Sequence, residues 1–318
     1  MTTVERITAT ALDKKTAKRY AAQITSEQYG CAARKIKYLG GGSFWLAFGV
    51  LGDCGERFVI KFLRVNGRME KETHDLALLA QSCRSVKLPR VLFTRKADDE
   101  IPVDCYGMER IDGKNALFSL GMLLMRKSRR LQFADEVTCA LHEIHECTGD
   151  KFGDTLRPEY DTWLDFYKPR AQAILNKAEE LFANGELAEK VITAMRTAWQ
   201  NFDLIFCESS DKACLIHGDL NIANIMVKRG EISGFIDPLD SMYADIEYDL
   251  FQFDNLTGKH FFLRETYTRK YGASKHCDAK CAFYGLFHEV YCYIASGVLV
   301  NMIMDPLVKT MNKRLKEL

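Results

Sequence analysis

The sequence lacks any long run of apolar residues. No stretch reaches the roughly 18 apolar residues that a membrane-spanning helix needs. The N-terminal segment MTTVERITATALDKK also carries charges where a signal peptide would have an apolar core. We therefore expect a cytoplasmic protein that has no membrane partner.

An excess of charge of either sign is also missing. Lys and Arg number 44 and Asp and Glu number 43, so the formal net charge is +1. Without a strong overall field, attraction to nucleic acid or to an anionic lipid surface is not expected, and recognition has to depend on local charge. The sequence carries no signal for the oligomeric state.

Internal repeats, low-complexity segments and linkers rich in proline or glycine are absent as well. At 318 residues, the chain is long enough to bury a full core, and it suits one large domain or two lobes that share a cleft. Eleven cysteines, an odd number without framework spacing, are expected to be reduced and mostly buried. Cys277 and Cys281 are interpreted in the same way, as core thiols.

The first third of the chain alternates between helical and β patterns. A helix is predicted over 11–29, and Gly30 just after it suits the left-handed conformation that ends many helices. A second helix is predicted over 68–83. Short β-rich runs separated by turn residues predict an antiparallel sheet, with strands at 35–39, 44–51, 57–63, 90–94 and 102–109.

Beyond Gly113 the pattern changes to long helical segments, interrupted only by short apolar runs near 214–237. A β-rich first third followed by a mainly helical remainder predicts an α+β protein with two lobes. We place the first lobe at 1–108, with a helical extension over 1–30, and the second lobe at 109–318, with the hinge at its start.

The strongest chemical signal is a run of polar residues between apolar strand fragments. It reads HGDLNIANIMV from His217 and GFIDP from Gly234. Transfer of a phosphoryl group needs a residue that positions the acceptor hydroxyl, and metal ligands that neutralise the phosphates. Asp219, Asn224 and Asp237 supply three such oxygen-bearing side chains, of the kind that Mg²⁺ prefers.

HGDLNIANIM and IDP resemble the catalytic and metal-binding motifs of the aminoglycoside phosphotransferase family. This family has fructosamine-kinase and choline-kinase relatives and a two-lobed protein-kinase-like fold, with a small β-rich nucleotide-binding lobe and a larger helical lobe. The resemblance implies that Asp219 is the catalytic base or orients the hydroxyl, and that Asn224 and Asp237 ligate Mg²⁺. His217 and Asp249, the latter in an element that resembles the family's GD-x-x-YDLA, are expected to support the catalytic loop. Ala244 replaces the usual glycine of that element.

The nucleotide is expected to be ATP, with GTP not excluded. Lys61 interrupts an otherwise apolar strand, and the resemblance implies that it grips the phosphates. A carboxylate has to hold its flexible ammonium in place, and Glu72 is our choice, with Glu70 as the alternative. The remaining expected nucleotide contacts are Gly41, Gly42 and Ser43 in a covering loop, and Met108, Glu109 and Ile111 at the hinge.

The segment 139–145 also permits a second interpretation. Cys139, His142 and His145 recur at helical spacing, which would suit zinc. The sequence HEIH is, however, one residue short of the HExxH pattern that places two histidines on one face of a helix. A packed helix end, similar to the family's L-x-x-LH, is the favoured interpretation.

The acceptor is the least specified part of the prediction. Acidic residues downstream of the catalytic loop, Asp240, Asp245, Glu247 and Glu289, would suit an amino-sugar, although a solvated acidic face is an equally good explanation. We therefore predict a kinase of a small-molecule hydroxyl acceptor, with an aminoglycoside-type amino-sugar as the first choice and a ketoamine or other metabolite kinase as the alternative. A protein kinase is disfavoured because HRD, DFG and APE motifs are missing, and a pseudo-enzyme is disfavoured because Lys61, Asp219, Asn224 and Asp237 are all present.

Overall fold

The computed structural model describes residues 4–318 and begins with a sheet flanked by two helices. The five strands are antiparallel in the order β1-β2-β3-β5-β4. Helix α1 spans Lys14–Tyr29, and α2 spans Met69–Ser82. The strands are β1 (Ala33–Gly41), β2 (Trp45–Gly52), β3 (Arg57–Leu63), β4 (Val91–Arg95) and β5 (Asp104–Glu109). The prediction of a β-rich first third with these elements is confirmed.

The ends of α1 follow from local hydrogen bonds. The helix starts at Lys14 and not at 11, because the Asp13 carboxylate caps it by accepting the N–H groups of Lys15 and Thr16. It ends at Gly30, which has a φ of 63°. The predicted stop is therefore confirmed, and the predicted start was three residues too early.

Strand β3 separates an apolar core from a polar cleft. Phe58, Ile60 and Phe62 point to one face, where they are buried in a cluster with α1. The side chain of Lys61 points to the opposite face of the strand, yet the residue is only 3% exposed. An ammonium buried on an apolar strand requires partners, and the cleft supplies them.

The part of the chain after β5 is mainly helical, and it holds a large apolar cluster with stacked aromatic rings such as Trp163 on Tyr167. Its helices are α3 (Leu120–Leu123), α4 (Lys127–His145), α5 (Trp163–Ala183), α6 (Glu189–Gln200), α7 (Phe202–Ile205), α8 (Glu247–Leu250), α9 (Leu263–Tyr271), α10 (Cys277–Ser296) and α11 (Asn301–Leu315). Short 3-10 helices occur at Ala116–Phe118, Phe251–Asp254 and Gly258–Phe261. The α+β class and the protein-kinase-like architecture are confirmed, while the lobe boundary at 108/109 stays a prediction.

Two small sheets lie among these helices. One has the order β12-β11-β6, and the other has the order β7-β10-β13-β8-β9. Their strands are β6 (Lys114–Asn115), β7 (Thr148–Gly149), β8 (Phe152–Asp154), β9 (Arg157–Tyr160), β10 (Ala213–Leu215), β11 (Ile225–Lys228), β12 (Glu231–Phe235) and β13 (Met242–Ala244). The expectation that strands interrupt the helices only near 214–237 was therefore wrong. Strands of two to four residues are too short to show an alternating pattern.

Lys71 on α2 ties the first sheet and its helices to the rest of the molecule. Its ammonium donates to the carbonyl of Ser241 at 2.6 Å and to the hydroxyl of Thr155 at 3.1 Å, and it also pairs with Asp75. Burial raises the pKa of Asp75 to about 6. These bonds fix α2 against the segment that follows β12.

The cysteines depart from the prediction at one place. Cys31 and Cys54 form a disulfide between the start of β1 and the turn before β3, so the expectation that all the cysteines are reduced is contradicted for this pair. The other nine are free, and Cys277 and Cys281 are buried on α10. Within residues 4–318, every helix is too short or too polar to cross a bilayer.

Candidate active site

The loop between β10 and β11 carries Asp219 at the edge of a cleft. Asn221 donates its side-chain amide to Asp219 Oδ1 at 2.7 Å, and Asn224 donates to Oδ2 at 2.9 Å. Asn224 also donates to the backbone carbonyl of Asp219 at 2.7 Å. Each carboxylate oxygen of Asp219 is thus held by one amide, which fixes its direction within the loop.

Asp249 on α8 holds the start of this loop. Its carboxylate accepts the backbone N–H groups of His217 at 2.8 Å and Gly218 at 2.7 Å, and it also accepts the ring Nε2–H of His145 at 3.2 Å. His145 in turn contacts the hydroxyl of Tyr267 at 2.6 Å. Asp249 is fully buried, so the three donors compensate the loss of its hydration.

The backbone at Gly218 permits a close approach that no other residue would allow. Its φ is 83°, and a Cβ at this position would lie 2.0 Å from the carbonyl oxygen of Leu239. Gly218 therefore brings the segment after Asp237 against the loop that carries Asp219. Gln252 adds a hydrogen bond to the Gly218 carbonyl at 3.1 Å.

Lys61 reaches across the cleft to the same place. Its ammonium donates to Asp237 Oδ1 at 2.7 Å and pairs with Glu72 Oε2 at 2.9 Å. Glu72 also accepts the hydroxyl of Tyr106 at 3.1 Å. Burial alone would lower the pKa of Lys61, but the negative charges of Asp237 and Glu72 outweigh it and hold that pKa well above its usual value. The carboxylate that reaches Lys61 is thus that of Glu72, whereas the alternative, Glu70, is exposed.

A cleft of about 580 Å³ opens in front of Lys61. Its walls combine the first sheet, the 109–115 connection and the loop that carries Asn224. Met108, Glu109 and Ile111 all line it. The lining residues also include Tyr38, Leu39, Gly40, Trp45, Val59, Lys61, Asn224, Met226, Ile236 and Asp237.

Two details of the cleft refine the sequence-based expectations. The N–H of Glu109 is bonded to the carbonyl of Arg90 at 2.9 Å, so any bond from Glu109 to a base has to use its carbonyl. On the side of β1, the cleft wall is formed by residues 37–40; Gly41 is the last residue of the strand, and Gly42 and Ser43 lie in the turn beyond. A Cβ on Gly41 would come within 2.9 Å of the carbonyl of Trp45, so the end of the strand needs glycine there for packing as well.

The electrostatics of the site set Asp219 apart. Loss of solvation raises its pKa to about 8, the negative charge of Asp237 adds to the rise, and the hydrogen bonds from Asn221 and Asn224 oppose it. Two carboxylates close together in an enclosed site favour binding of a cation between or beside them. His217 is fully buried, and burial lowers its pKa to about 4, so it is neutral near pH 7.

The predicted acceptor residues are not all brought together. Asp245 and Glu247 are buried in ion pairs with Lys280 on α10, at 2.6 Å and 2.7 Å. Removing one partner from a buried pair costs roughly 3–5 kcal/mol, so neither carboxylate is free to bind a ligand. Their assignment to the acceptor site is corrected on this ground. Asp240 and Glu289 are half-buried, and Asp240 lies 3.4 Å from Arg170.

Several residues of the site were missed or misinterpreted. Asn221 was not predicted as a site residue, and its bond to Asp219 has no signature in the sequence. His145, weighed as a zinc ligand, instead bonds Asp249. Cys139 lies 3.0 Å from the ammonium of Lys270, and His142 stacks on the ring of Tyr271.

The role of Asp249 can be tested by stability. Asp249→Ala should lower the free energy of unfolding by about 2–4 kcal/mol, because it strands two buried backbone N–H groups and His145 without their acceptor. Urea denaturation followed by circular dichroism measures this. Asp211→Ala, at an exposed position before β10, is the matched control and should change stability by less than about 0.5 kcal/mol. Equal stability of the two variants would contradict the role given to Asp249.

Comparisons with solved structures support the fold. A crystal structure of a putative fructosamine-3-kinase from Thermobifida fusca is 18% identical, with a TM-score of 0.66, and the match covers 93% of this chain and 98% of that one. A thermostable mutant of the aminoglycoside phosphotransferase APH(4)-Ia, in a ternary complex with AMP-PNP and hygromycin B, is 17% identical, with a TM-score of 0.68 and coverages of 93% and 97%. The GDP complex of aminoglycoside 2'-phosphotransferase-IIIa is 16% identical, with a TM-score of 0.68 and coverages of 94% and 99%.

A comparison with curated proteins found no match. A model of the phosphotransferase enzyme family, APH, matches residues 50–275, which include Lys61, the 217–237 segment and Asp249. The matched region covers well over half of the chain. The chain therefore belongs to the phosphotransferase enzyme family.

Proposed function

We propose that this protein is a kinase that transfers the γ-phosphoryl group of ATP to a hydroxyl of a small molecule. The observation that carries the proposal is the pairing of Lys61 with Asp237 and Glu72 at the inner end of the cleft. Asp237 in turn is close enough to Asp219 to raise its pKa. Lys61, which can bind phosphate, thus lies beside Asp237, which can bind a metal, and Asp219, which can bind a hydroxyl.

The cleft supports the nucleotide part of the proposal. It is lined by apolar side chains such as Val59, Met108 and Met226, which suit the faces of a base, and it ends at Lys61. Structures with the same fold were solved with AMP-PNP and with GDP. ATP is the proposed donor, and GTP is the alternative.

Asn224 and Asp237 are the proposed magnesium ligands. Asn224 uses its amide nitrogen to bond Asp219, which leaves its amide oxygen for a metal. Asp237 gives one carboxylate oxygen to Lys61 and retains the other. Mg²⁺ commonly takes one or two protein oxygens and completes its shell with phosphates and water, so this pair fits. When bound, the ion would neutralise phosphate charge and lower the pKa of Asp219.

Asp219 is proposed to orient the acceptor hydroxyl. Its carboxylate is aimed by Asn221 and Asn224, so an incoming hydroxyl that donates to it is held in one direction. The bond between the hydroxyl oxygen and the γ-phosphorus forms as the bond to the β,γ-bridging oxygen breaks. ADP leaves, and the hydroxyl proton passes to Asp219. His217 and Asp249 keep the loop in place.

The acceptor class remains a choice between an aminoglycoside-type amino-sugar and a ketoamine or other metabolite. Structures of both kinds of kinase share the fold. Of the four acidic residues expected to bind an amino-sugar, Asp245 and Glu247 are committed to Lys280. Half of the expected acidic groups are therefore unavailable to a polycationic acceptor. This favours the alternative, a ketoamine or other metabolite.

Replacing Asp219 tests the catalytic assignment. Asp219→Ala should lower kcat by at least about 100-fold with little change in nucleotide affinity, because orientation of the hydroxyl is lost while the nucleotide cleft stays intact. Phosphoryl transfer from Mg-ATP is measured against aminoglycosides, fructosyl-lysine, choline and homoserine. Asp211→Ala serves as the control with wild-type turnover. Near-normal kcat in Asp219→Ala would remove Asp219 from the mechanism.

Replacing Asp237 tests the metal assignment without reference to the acceptor. Mg-ATP at 100 times its Kd stabilises a protein by about 2.7 kcal/mol, which is visible as a rise in Tm. Asp237→Ala should lose most of this rise, since both a metal ligand and the partner of Lys61 are removed. Asp211→Ala should retain the full shift. An unchanged Mg-dependent shift in Asp237→Ala would count against metal ligation.

A further inference from the structure

Helix α5 places an arginine inside the molecule, near the site, without adequate partners. The side chain of Arg170 is only 9% exposed. Its sole hydrogen bond within residues 4–318 is a long one, 3.4 Å from Nη2 to Asp240 Oδ2. A guanidinium has five N–H donors, so most of those of Arg170 have no protein partner. None of the nitrogen atoms of Arg170 is among the buried and unbonded side-chain atoms of residues 4–318, so these donors are open to solvent and can be taken by a ligand.

Arg170 lines a small cavity beside the catalytic loop. The cavity has a volume of about 180 Å³, and Pro238–Met242 form one of its walls. Arg68, at the start of α2, also lines it and forms no ion pair among the described residues. The ring of Tyr291 lies 4.8 Å from the Arg170 guanidinium and fixes its plane. The free donors of Arg170 therefore belong to a preformed concave surface.

This surface adjoins the proposed catalytic residue. Gly218, next to Asp219, packs directly against the backbone of Asp240. Burial raises the pKa of the Cys292 thiol, and the negative charges of Glu289, Asp240 and Asp219 raise it further, while Arg170 opposes them. Residues 289 and 292 lie one turn apart on α10. Arg170 bonds Asp240, and Asp240 packs on Gly218, so Arg170 lies close to the loop that carries Asp219.

The charges that line this cavity have both signs. The lining holds Arg170, Arg68 and Lys71 together with the carboxylates of Glu72, Asp75, Asp154 and Asp240. Glu72 is paired with Lys61, Asp75 with Lys71, and Asp240 with Arg170. Arg68 and the unbonded donors of Arg170 are therefore the groups of this lining that can take an anionic part of a ligand.

We propose that Arg170 binds a carboxylate of the acceptor, so that the substrate is a small hydroxyl compound carrying a carboxylate, with Arg68 as a second contact. This inference rests on the proposed function and narrows it. Arg170 would act as a specificity residue and would not take part in the transfer itself.

Matched acceptors test the inference. Fructosyl-lysine and homoserine are compared with their carboxamides, and with an aminoglycoside, in the Mg-ATP transfer assay. Wild-type protein should phosphorylate at least one carboxylate compound with a kcat/KM at least about tenfold above that of its carboxamide, because a charged hydrogen bond to arginine is lost. Equal or better turnover of carboxamides or aminoglycosides would overturn the inference and leave the kinase proposal standing. Absence of any Mg-ATP-induced rise in Tm would instead contradict the proposed function.

Variants locate the effect. Arg170→Gln should raise the KM of the carboxylate acceptor at least about tenfold, leave the carboxamide and the KM of ATP unchanged, and be partly rescued in Arg170→Lys. Arg269→Gln, at an exposed position on α9, is the control. An equal loss for acceptor and carboxamide, or a raised KM for ATP, would overturn the assignment. If Arg170→Gln does not fold, wild-type protein with bound Mg-ADP is tested instead. Its Tm is measured after adding the carboxylate acceptor and, separately, the matching carboxamide. A larger rise in Tm with the carboxylate supports the inference, and equal rises overturn it.

Discussion

The site depends on one buried ammonium that joins three separate segments of the chain. Lys61 comes from the first sheet, Glu72 from α2 and Asp237 from the segment after β12. Removing an ammonium from water is costly, and here two carboxylates at 2.9 Å and 2.7 Å repay that cost. Because each partner is held by its own element, the pairing also fixes the position of the sheet relative to the catalytic loop. Lys71 adds a second link, from α2 to the carbonyl of Ser241.

The same pairing leaves the site short of positive charge. One ammonium faces Glu72 and Asp237, and Asp219 stands beside them with its pKa raised to about 8. Lys61 pairs with two carboxylates, so the group as a whole is negative and favours a further cation. Asp249, outside the cleft, holds the loop that carries Asp219 in place. It accepts two backbone N–H groups of that loop and the ring N–H of His145. Support from outside the cleft thus maintains the arrangement inside it.

The sequence predicted the fold wherever local pattern and long-range packing agree. The N-terminal sheet follows from alternating apolar residues, and the 217–237 segment from its oxygen-bearing side chains at fixed spacing. Strands β7, β8, β9 and β13 could not be predicted, because segments of two to four residues carry no period and form only through distant partners. Asn221 and Arg170 could not be predicted either, because a single sequence does not display their side-chain contacts. Asn221 bonds Asp219, two residues away, and Arg170 bonds Asp240, 70 residues away. The disulfide between Cys31 and Cys54 likewise depends on the approach of two turns.

The acceptor side illustrates why composition is a poor guide to specificity. Counted in the sequence, the region after the catalytic loop is acidic. In the folded chain, Lys280 neutralises Asp245 and Glu247, and Arg264 pairs with Asp254 at 2.9 Å. A ligand meets only the charged groups that are left without a full set of partners inside the protein. Here these groups include Arg170, which has one long hydrogen bond. The sign of the free charge, and not the number of acidic residues, then decides which acceptors can enter.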